Sequence, residues 1–488
     1  MTGAPLLAGL VPALSAAAAV VLVLLPAWRL AATLNVAASA GVFGCALALA
    51  AAPRGAGPLL IADDLNVLFV ALNSFVALTT SLFSARYVAH ELTTGRLTAA
   101  NLRFYHAGFQ VLLGAMNLAL VSNNLGVMWV AIEVATLSSV VMVGLYRTEA
   151  AMEAAWKYFM LGSVGIALAL FGTILVYMAA QPVVGEGPDG MIWSVLMTHA
   201  GDLDPALLNV AFVFLLLGYG TKVGLVPLQA WLPDAHAEGP TPVSAILSGL
   251  LLNVALLAVL RFKLLLAAHP GAIAPGPLMM AMGLASLLLA GVVLYRRRDI
   301  KRLFAYSSIE HMGLIAFAFG LGGPLASFAG LLHVAMHSLG KSAVFFAVGS
   351  ACQAKGTQRL ADIRGLTTSD PALGWGLVAA VLAVAGLPPG GMFLSEFLLV
   401  GATFGRMPLL AVPLVAGLLL AFGGLLLKLS GIAFGAPPDP VPGATPARGS
   451  ALALWLPLGL HLALVLVAGL YLPPPLVDWL RQVAAFLG

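Results

Sequence analysis

Long apolar segments are the feature of this sequence that most restricts how it can fold. A membrane-spanning helix needs about 20 mainly apolar residues, and many segments of this kind follow one another with no ten-residue alternating pattern of a β-barrel. They predict an all-α polytopic membrane protein with about 14 transmembrane helices. The predicted spans are 5–26, 30–52, 64–88, 104–121, 123–145, 151–178, 206–232, 241–266, 276–295, 300–320, 325–350, 372–400, 408–434 and 450–472.

The composition supports a membrane protein and excludes several other classes. Of the 488 residues, 61% are hydrophobic and 9% are charged, whereas soluble domains average about 45–50% and about 25%. The net charge of +4 is too small and too dispersed for a nucleic-acid-binding surface. Because Cys45 and Cys352 are the only cysteines, we expect neither a disulfide framework nor a thiolate metal site.

The distribution of lysine and arginine predicts the orientation in the membrane, because these residues favour cytoplasmic loops. With both termini placed outside the cytoplasm, most of them fall on the cytoplasmic side, including Arg296–Arg298, Lys301 and Arg302. We interpret this basic cluster as a determinant of topology. The basic residues that fall on the other side are Arg54, Arg261, Lys263, Arg406 and Arg481.

Two proline-containing interruptions indicate an internal repeat. The sequence GLVP at 224–227 lies in the seventh predicted span, and GLPP at 386–389 lies in the twelfth. The two breaks are five spans apart, and an odd number of spans inverts the second copy in the membrane. Inverted repeats with broken helices are typical of transport cores. Chance placement of proline is the alternative explanation.

Two oppositely charged residues lie deep inside predicted spans. Glu133 is in the middle of the fifth span, and Lys222 is next to the break in the seventh. A charge at the bilayer centre costs about 2.5 to 3.5 kcal/mol on insertion scales, so these residues must be paired, hydrated or useful. A pair that opens and closes would change the proton affinity of both groups. A static ion pair that holds two helices together is the alternative.

The eleventh span carries three ionisable residues on one helix face. His333, His337 and Lys341 are spaced four residues apart, which aligns them along an α-helix. Imidazole both donates and accepts protons near neutrality, so the spacing indicates a proton relay. Packed or hydrogen-bonded histidines, or a metal site, are the alternatives. No acidic or cysteine ligand is close in sequence and no HExxH motif occurs, so we expect no metal.

Other residues could extend this relay. Glu310 and His311 lie in the tenth span, and Glu396 follows the second break, closer to the outer end of its span. Exposure at the membrane surface is the alternative for Glu396. His236, in the DAHAE sequence at 234–238, could feed protons to the seventh span, although a solvated linker explains that sequence equally well.

The chain lacks the motifs of covalent or cofactor chemistry. Walker A, GxSxG, CxxC and CxxCH sequences are all absent. We therefore expect no cofactor and no catalytic centre on this chain, and any redox or hydrolytic energy source would lie in partner subunits.

Several motifs resemble the antiporter-like subunits of respiratory complex I, Mrp-type sodium/proton antiporters and membrane-bound hydrogenases. The resemblance rests on KVGLVPLQAWLPDAHAEGPTPVSA at 222–245, DIKRLFAYSS at 299–308 and the His333, His337, Lys341 spacing. Within that family, YSSIEHMG at 306–313, EVATLSS at 133–139 and GLPPGGMFLSE at 386–396 look most like the component F type of membrane protein in hydrogenase-4 and formate hydrogenlyase-type complexes.

The resemblance implies a fold and a set of roles. It implies two inverted five-helix repeats, with helices 1–3 in residues 1–103, the first repeat in 104–267, the second in 275–435, and the last helix with a short tail in 450–488. It implies Glu133 and Lys222 as the coupling pair. It further implies His333, His337 and Lys341 as the central relay, and Glu396 as the group near the exit.

One departure from the family concerns the eighth span. Many relatives carry Lys or His midway along it, whereas this chain has Ser248 and Asn253. Water must bridge there, Lys263 must reach in, or the first half-channel is impaired.

The sequence as a whole predicts a proton-translocating, or sodium-translocating, subunit of a redox-driven complex in a bacterial or archaeal plasma membrane. Its expected partners are other membrane subunits of a hydrogenase or complex I-like assembly and a soluble redox arm. A subunit of an Mrp-type antiporter, a standalone secondary transporter, an inactive structural subunit and a complex that drives inorganic-carbon uptake remain alternatives.

Overall fold

A computed structural model describes residues 3–437 and 452–488. Helices form almost all of the structure, and a short antiparallel hairpin joins β1 (Gly55–Ala56) to β2 (Ile61–Ala62). The α-helices are α1 Gly3–Leu24, α2 Trp28–Ala51, α3 Asp64–Thr93, α4 Ala99–Val121, α5 Leu125–Val143, α6 Glu149–Val184, α7 Trp193–Thr198, α8 Pro205–Val223, α9 Trp231–Glu238, α10 Thr241–Ile246, α11 Leu252–Ala267, α12 Gly276–Leu294, α13 Ile300–Leu321, α14 Pro324–Lys355, α15 Leu366–Ser369, α16 Pro371–Val384, α17 Gly391–Arg406, α18 Pro408–Phe434, α19 Leu452–Leu470 and α20 Pro474–Leu487.

The helices confirm a polytopic all-α membrane protein. Within the described residues, thirteen helical segments are long and apolar enough to cross a membrane. The predicted twelfth span is divided between the shorter helices α16 and α17, which explains why thirteen segments qualify by length where the sequence predicts about fourteen spans. Residues 450 and 451, at the start of the predicted last span, lie outside the described residues.

Both predicted interruptions are visible as breaks between helices. Helix α8 ends at Val223, and the next residue, Gly224, has a left-handed φ of 84°, a conformation that glycine adopts without steric cost. Helix α16 ends shortly before Gly386, whose φ is 71°. The Trp231 indole donates to the Thr221 carbonyl at 2.8 Å, so the first break is held by a side chain from the helix that follows it.

Burial separates the centre of the bundle from its periphery. The most apolar stretch of Thr241–Ala267 is 100% buried, and those of α13 and α14 are 94% buried. The corresponding value is 33% for α1, α18 and α19. The outer helices expose large apolar side chains, such as Leu24 and Leu409, which fits contact with lipid. The central helices therefore provide the protected environment in which ionisable residues can be held.

The eighth span contains a π-helical segment, Leu247–Leu251, between α10 and α11. Such segments are frequent at functional sites. Its Gly249 packs directly on α14, because an added Cβ would lie 2.7 Å from Ser342 Oγ and 3.2 Å from the Ser338 carbonyl oxygen. The irregular part of the eighth span therefore faces the helix that carries the predicted relay.

Candidate functional site

The first part of the site, here called the pair site, consists of Glu133, Lys222 and Thr136. The Lys222 ammonium lies 3.9 Å from the Glu133 carboxylate and donates to Thr136 Oγ1 at 2.7 Å. The side chain of Lys222 is 1% exposed and that of Glu133 is 19% exposed. Because Glu133 Oε2 accepts no hydrogen bond from the described residues, the pair is close enough to attract but is not locked by a hydrogen bond.

The lack of a side chain at Gly162 leaves room for the Lys222 ammonium. A Cβ at Gly162 of α6 would lie 2.7 Å from Lys222 Nζ and 3.4 Å from Thr136 Cγ2. No side chain fits there without displacing the ammonium, so α6 forms one wall of the pair site.

The first helix break is connected to the pair site through Tyr158 of α6. The Tyr158 ring centre lies 5.7 Å from Lys222 Nζ, within the range of a cation–π interaction. Tyr158 in turn stacks on Trp231, the first residue of α9, with ring centres 4.2 Å apart. Because Trp231 also holds the end of α8 through Thr221, movement of α9 would be felt directly at Lys222.

Small polar side chains lie between the pair site and the second half of the molecule. Ser248, in the π-helical segment, is 2.7 Å from Ser308 of α13. Asn253 of α11 donates to Ser338 of α14 at 2.7 Å, and its Oδ1 atom has no partner among the described residues. The eighth span thus offers hydroxyl and amide groups, where many members of the family carry a charged residue.

The predicted face of α14 is completely buried. His333, His337 and Lys341 are each no more than 2% exposed. Lys341 Nζ makes a long contact of 3.4 Å with the Phe304 carbonyl. Neither ring nitrogen of His337 has a partner among the described residues, and its ring centre is 5.6 Å from that of His311. Two of the three residues therefore have spare capacity for hydrogen bonds.

Four side chains from α13, α14 and α17 form a row, here called the histidine row: Glu310, His311, His333 and Ser395. His311 Nδ1 lies 3.0 Å from His333 Nε2, and His333 Nδ1 lies 2.9 Å from Ser395 Oγ. At the other end, His311 Nε2 lies 3.5 Å from Glu310 Oε2. All four are buried, so the row is shielded from lipid and solvent.

Counting hydrogens assigns the direction of the histidine row. The single hydroxyl hydrogen of Ser395 is donated to the Met392 carbonyl at 2.7 Å, so Ser395 Oγ accepts from His333 Nδ1. In its neutral form, His333 then presents a lone pair on Nε2, and His311 Nδ1 must donate to it. His311 Nε2 is left facing the Glu310 carboxyl, and one proton must lie between these two groups to make that contact favourable.

Glu396 lies at the second helix break, next to the histidine row. Its carboxyl occupies the space that a side chain on Gly386 would need, since a Cβ added there would overlap Glu396 Oε2. Glu310 and Glu396 both line a cavity of about 300 Å³ between α16, α17 and α18. One ligand atom from each of His311, His333 and Glu396 lies within 4.8 Å of the others, so these three are the residues that could hold a metal ion.

A charged cluster surrounds the end of α9. Lys157 lies 2.5 Å from Asp234, and Arg302 lies 3.2 Å from Asp234 and 3.3 Å from Glu238. These residues line a cavity of about 260 Å³. Burial raises the pKa of the Glu238 carboxyl, although Arg302 and Lys301 oppose that rise. Lys157, Asp234 and Arg302 come from three different helices, so the cluster joins α6, α9 and α13 on one side of the membrane.

The remaining candidates, His236 and Lys263, differ in whether their nitrogen atoms have hydrogen-bond partners. His236 is fully buried, stacks on Phe345 with ring centres 5.2 Å apart, and has no ring-nitrogen partner among the described residues. The Lys263 ammonium donates to the carbonyl of Leu487, at the end of α20. It is therefore occupied by the C-terminal helix.

Four residues of the site were not expected from the sequence. Thr136 and Ser395 bind Lys222 and His333, and Gly162 makes room for the ammonium. Lys301, interpreted above as part of a topology determinant, is 1% exposed and donates to the carbonyls of Ala237 and Gly239 at 2.9 and 2.5 Å. Helical spacing from Glu133 could have indicated Thr136, but nothing in the sequence marks Gly162.

Comparison with known proteins supports the resemblance inferred from the motifs. Residues 122–421 match the family described as NADH:quinone oxidoreductase/Mrp antiporter, transmembrane. The chain is 59% identical over 431 residues to a protein of Methylacidiphilum infernorum (isolate V4) named hydrogenase-4 component F homolog. That alignment covers 88% of this chain and 89% of the relative.

Solved structures show the same fold. A chain of an archaeal membrane-bound sulfane sulfur reductase matches with a TM-score of 0.85 at 22% identity, covering 98% of this chain and 97% of the other. A chain of respiratory complex I from Thermus thermophilus matches with a TM-score of 0.81 at 23% identity, covering 99% and 100%. The family match and the sequence relative together establish that this chain is an antiporter-like membrane subunit, belonging to the NADH:quinone oxidoreductase/Mrp antiporter transmembrane family.

Proposed function

We propose that this chain translocates protons as a membrane subunit of a redox-driven, hydrogenase-4-like complex in a prokaryotic plasma membrane, with both termini outside the cytoplasm. The observation that carries this proposal is the Lys222 ammonium, which is fully buried yet only 3.9 Å from an incompletely bonded Glu133. An ion pair that is easily opened suits a proton pump, because separating the charges changes the proton affinity of both groups.

The proposed cycle begins at the pair site. A neighbouring subunit moves Glu133 away from Lys222, and the ammonium then loses its stabilisation by the carboxylate charge. The return of Glu133 restores that stabilisation. Burial of an unpaired ammonium is costly, so Lys222 releases its proton when the pair opens. Thr136 donates its hydroxyl hydrogen to the Ile132 carbonyl at 2.9 Å, so its Oγ1 accepts from Lys222 in both states, since a neutral amine still carries hydrogens to donate.

The proposed relay continues in the second half. The charge change at Lys222 acts on Lys341, and a proton moves along His337 and the histidine row to Glu396. The pairs Ser248–Ser308 and Asn253–Ser338 give water molecules polar partners between the two halves. The cavity lined by Glu310 and Glu396 gives the last step room for water.

The division of the chain into repeats belongs to the same proposal. Residues 104–267 and 275–435 would form two inverted five-helix units, each with one broken helix, after the helices of residues 1–103 and before the last segment, 450–488. The partners would be further membrane subunits and a soluble redox arm. Support comes from the relative named hydrogenase-4 component F homolog and from the likeness in fold to a complex I chain.

Replacing Lys222 by methionine tests the proposal. Lys222→Met keeps an unbranched side chain of similar size but removes the titratable amine, so we expect proton translocation by the purified, reconstituted complex to be lost while the complex still assembles. Proton movement would be measured as acidification of proteoliposomes in sodium-free buffer.

A matched control is Lys355→Met, at the end of α14, where the ammonium donates to Ser369 Oγ at 2.8 Å. This control should pump normally. Unchanged pumping in Lys222→Met would remove the basis of the proposed function, and pumping that requires added sodium would identify the transported ion as Na⁺.

A further inference from the structure

A buried carboxylate lies outside the site described above, at the end of α3. Glu91 has a fully buried side chain, although it is only two residues from the end of its helix. Its carboxylate accepts from Tyr146 at 2.9 Å and from Gln353 at 2.8 Å. An ionisable group that is buried and held by several partners costs free energy to maintain, so it calls for an explanation beyond packing.

Arg96 connects the buried Glu91 carboxylate to the solvent. The Arg96 guanidinium lies 3.7 Å from Glu91 Oε2, and the Arg96 side chain is 56% exposed. Arg96 follows α3 in a loop that the lysine and arginine distribution predicts to be cytoplasmic. The carboxylate therefore lies one side chain away from water.

The hydroxyl groups of Tyr146, Tyr87 and Thr241 form a chain that starts at Glu91. Tyr146 Oη is 3.3 Å from Tyr87 Oη, and Thr241 Oγ1 is 3.2 Å from Tyr87 Oη. Because Tyr146 gives its hydrogen to Glu91, Tyr87 must donate to Tyr146, and Thr241 donates to Tyr87. All three hydroxyls thus point the same way, toward the carboxylate, in a chain that spans three separate parts of the sequence.

Thr241 connects this hydroxyl chain to the centre of the molecule. It is the first residue of α10, which leads into the π-helical segment that packs on α14. Thr241 packs on Gly349 of α14, because a Cβ added at Gly349 would lie 2.8 Å from Thr241 Cγ2. Gly349 is about two turns along α14 from Lys341, so the hydroxyl chain ends against the helix that carries the proposed relay.

We propose that Glu91, Tyr146, Tyr87 and Thr241 form a path that carries protons from the loop after α3 to the buried relay. This proposal rests on the proposed function. A proton from water binds Glu91 Oε2; the protonated carboxyl then donates to Tyr146, and the hydroxyls reverse their direction. Each oxygen receives one proton and passes on its own, so that Thr241 gives one proton to a water molecule on the side of the relay and Glu91 is again a carboxylate.

Two substitutions separate this path from a structural role of Glu91. Tyr87→Phe breaks the hydroxyl chain but leaves the side chains of Tyr146, Gln353 and Arg96 on Glu91. Gln353→Met removes a bond to Glu91 but leaves the hydroxyl chain continuous. We expect Tyr87→Phe to slow proton translocation by about 100-fold, the lower range for loss of a proton-transfer group, and Gln353→Met to leave it nearly unchanged.

The measurement is proton translocation per electron transferred by the reconstituted, fully assembled complex. Tyr105→Phe, which changes a buried tyrosine of α4 outside the chain, is the matched control and should behave as the unmodified protein. Glu91→Gln should also slow translocation, and Glu91→Asp should restore part of it.

The opposite pattern, with Gln353→Met impaired and Tyr87→Phe normal, would show that Glu91 only ties helices together. Normal translocation in Tyr87→Phe combined with loss in Lys222→Met would overturn the path and leave the proposed function intact. Normal translocation in Lys222→Met would remove the proposed function itself.

Discussion

The pair site and the histidine row hold buried ionisable groups in two different ways. In the pair site, the two charges are 3.9 Å apart, and Glu133 is 19% exposed with an oxygen that has no described partner. In the histidine row, His311, His333 and Ser395 are joined at 2.9 to 3.0 Å and almost completely buried. The first arrangement can open, whereas the second is already continuous.

This difference indicates a division of labour. Separating a buried ion pair changes the local electrostatic energy strongly, because the protein interior screens charges poorly. A continuous row of imidazole and hydroxyl groups instead passes a proton with little movement of the backbone. We therefore infer that the pair site responds to neighbouring subunits and that the histidine row conducts. Three substitutions test this contrast between the two regions.

The largest effect is expected from interrupting the histidine row. His333→Gln removes the imidazole that joins His311 to Ser395, so proton translocation should fall by about 100-fold, the lower range for loss of an acid–base group. His461→Gln is the matched control, because His461 is buried and bonded to Thr79 Oγ1 and the Leu339 carbonyl and is not one of the four residues of the row. Equal losses in both variants would mean that the row serves packing only.

An intermediate effect is expected from crowding the pair site. Gly162→Ala would place a methyl group 2.7 Å from the Lys222 ammonium and push it away from Thr136. We expect translocation to fall by about tenfold, corresponding to about 1.4 kcal/mol. In a Lys222→Met background, where translocation is already lost, thermal unfolding of the complex is measured instead, and the same change should lower its midpoint less than in the unmodified chain because the displaced group is gone. An equal decrease of the midpoint in both backgrounds would indicate distortion of α6 instead.

The smallest effect is expected from releasing the end of the histidine row. Ser395→Ala removes one acceptor of His333, a hydrogen bond worth about 1 kcal/mol, so translocation should fall by about fivefold. Ser395→Thr keeps the hydroxyl and should restore most of the rate. If alanine and threonine give the same rate as serine, the contact of Ser395 with His333 does not contribute to proton translocation.

The sequence predicts the fold well because the bilayer imposes a simple rule. Apolar length alone locates the spans, and glycine with proline locates the breaks before α9 and α17. The break in the twelfth span leaves α16 and α17 each too short to qualify alone as a span. That detail depends on where the helix ends, which local sequence determines less precisely.

The sequence predicts the charged residues of the site better than their partners. Glu133 and Lys222 stand out because charges are expensive in a bilayer, and each histidine of α14 stands out by its spacing. Ser395 and Thr136 do not, since a serine or threonine in a membrane helix usually bonds to its own backbone. Glu91 was also missed, because a carboxylate near a span end resembles an ordinary surface residue. Only the tertiary contacts with Tyr146 and Gln353 distinguish it.

The π-helical segment limits the changes in length that the eighth span can tolerate. In a regular α-helix, residues five apart point about 140° away from each other. The wider turn through Leu247–Leu251 reduces that angle, so that Ser248 and Asn253 can reach Ser308 and Ser338 on neighbouring helices. Deleting one residue here would restore regular winding and turn one of the two polar groups toward apolar neighbours. The extra residue in the π-helical turn thus determines in which direction the side chains at one end of the span point relative to those at the other end.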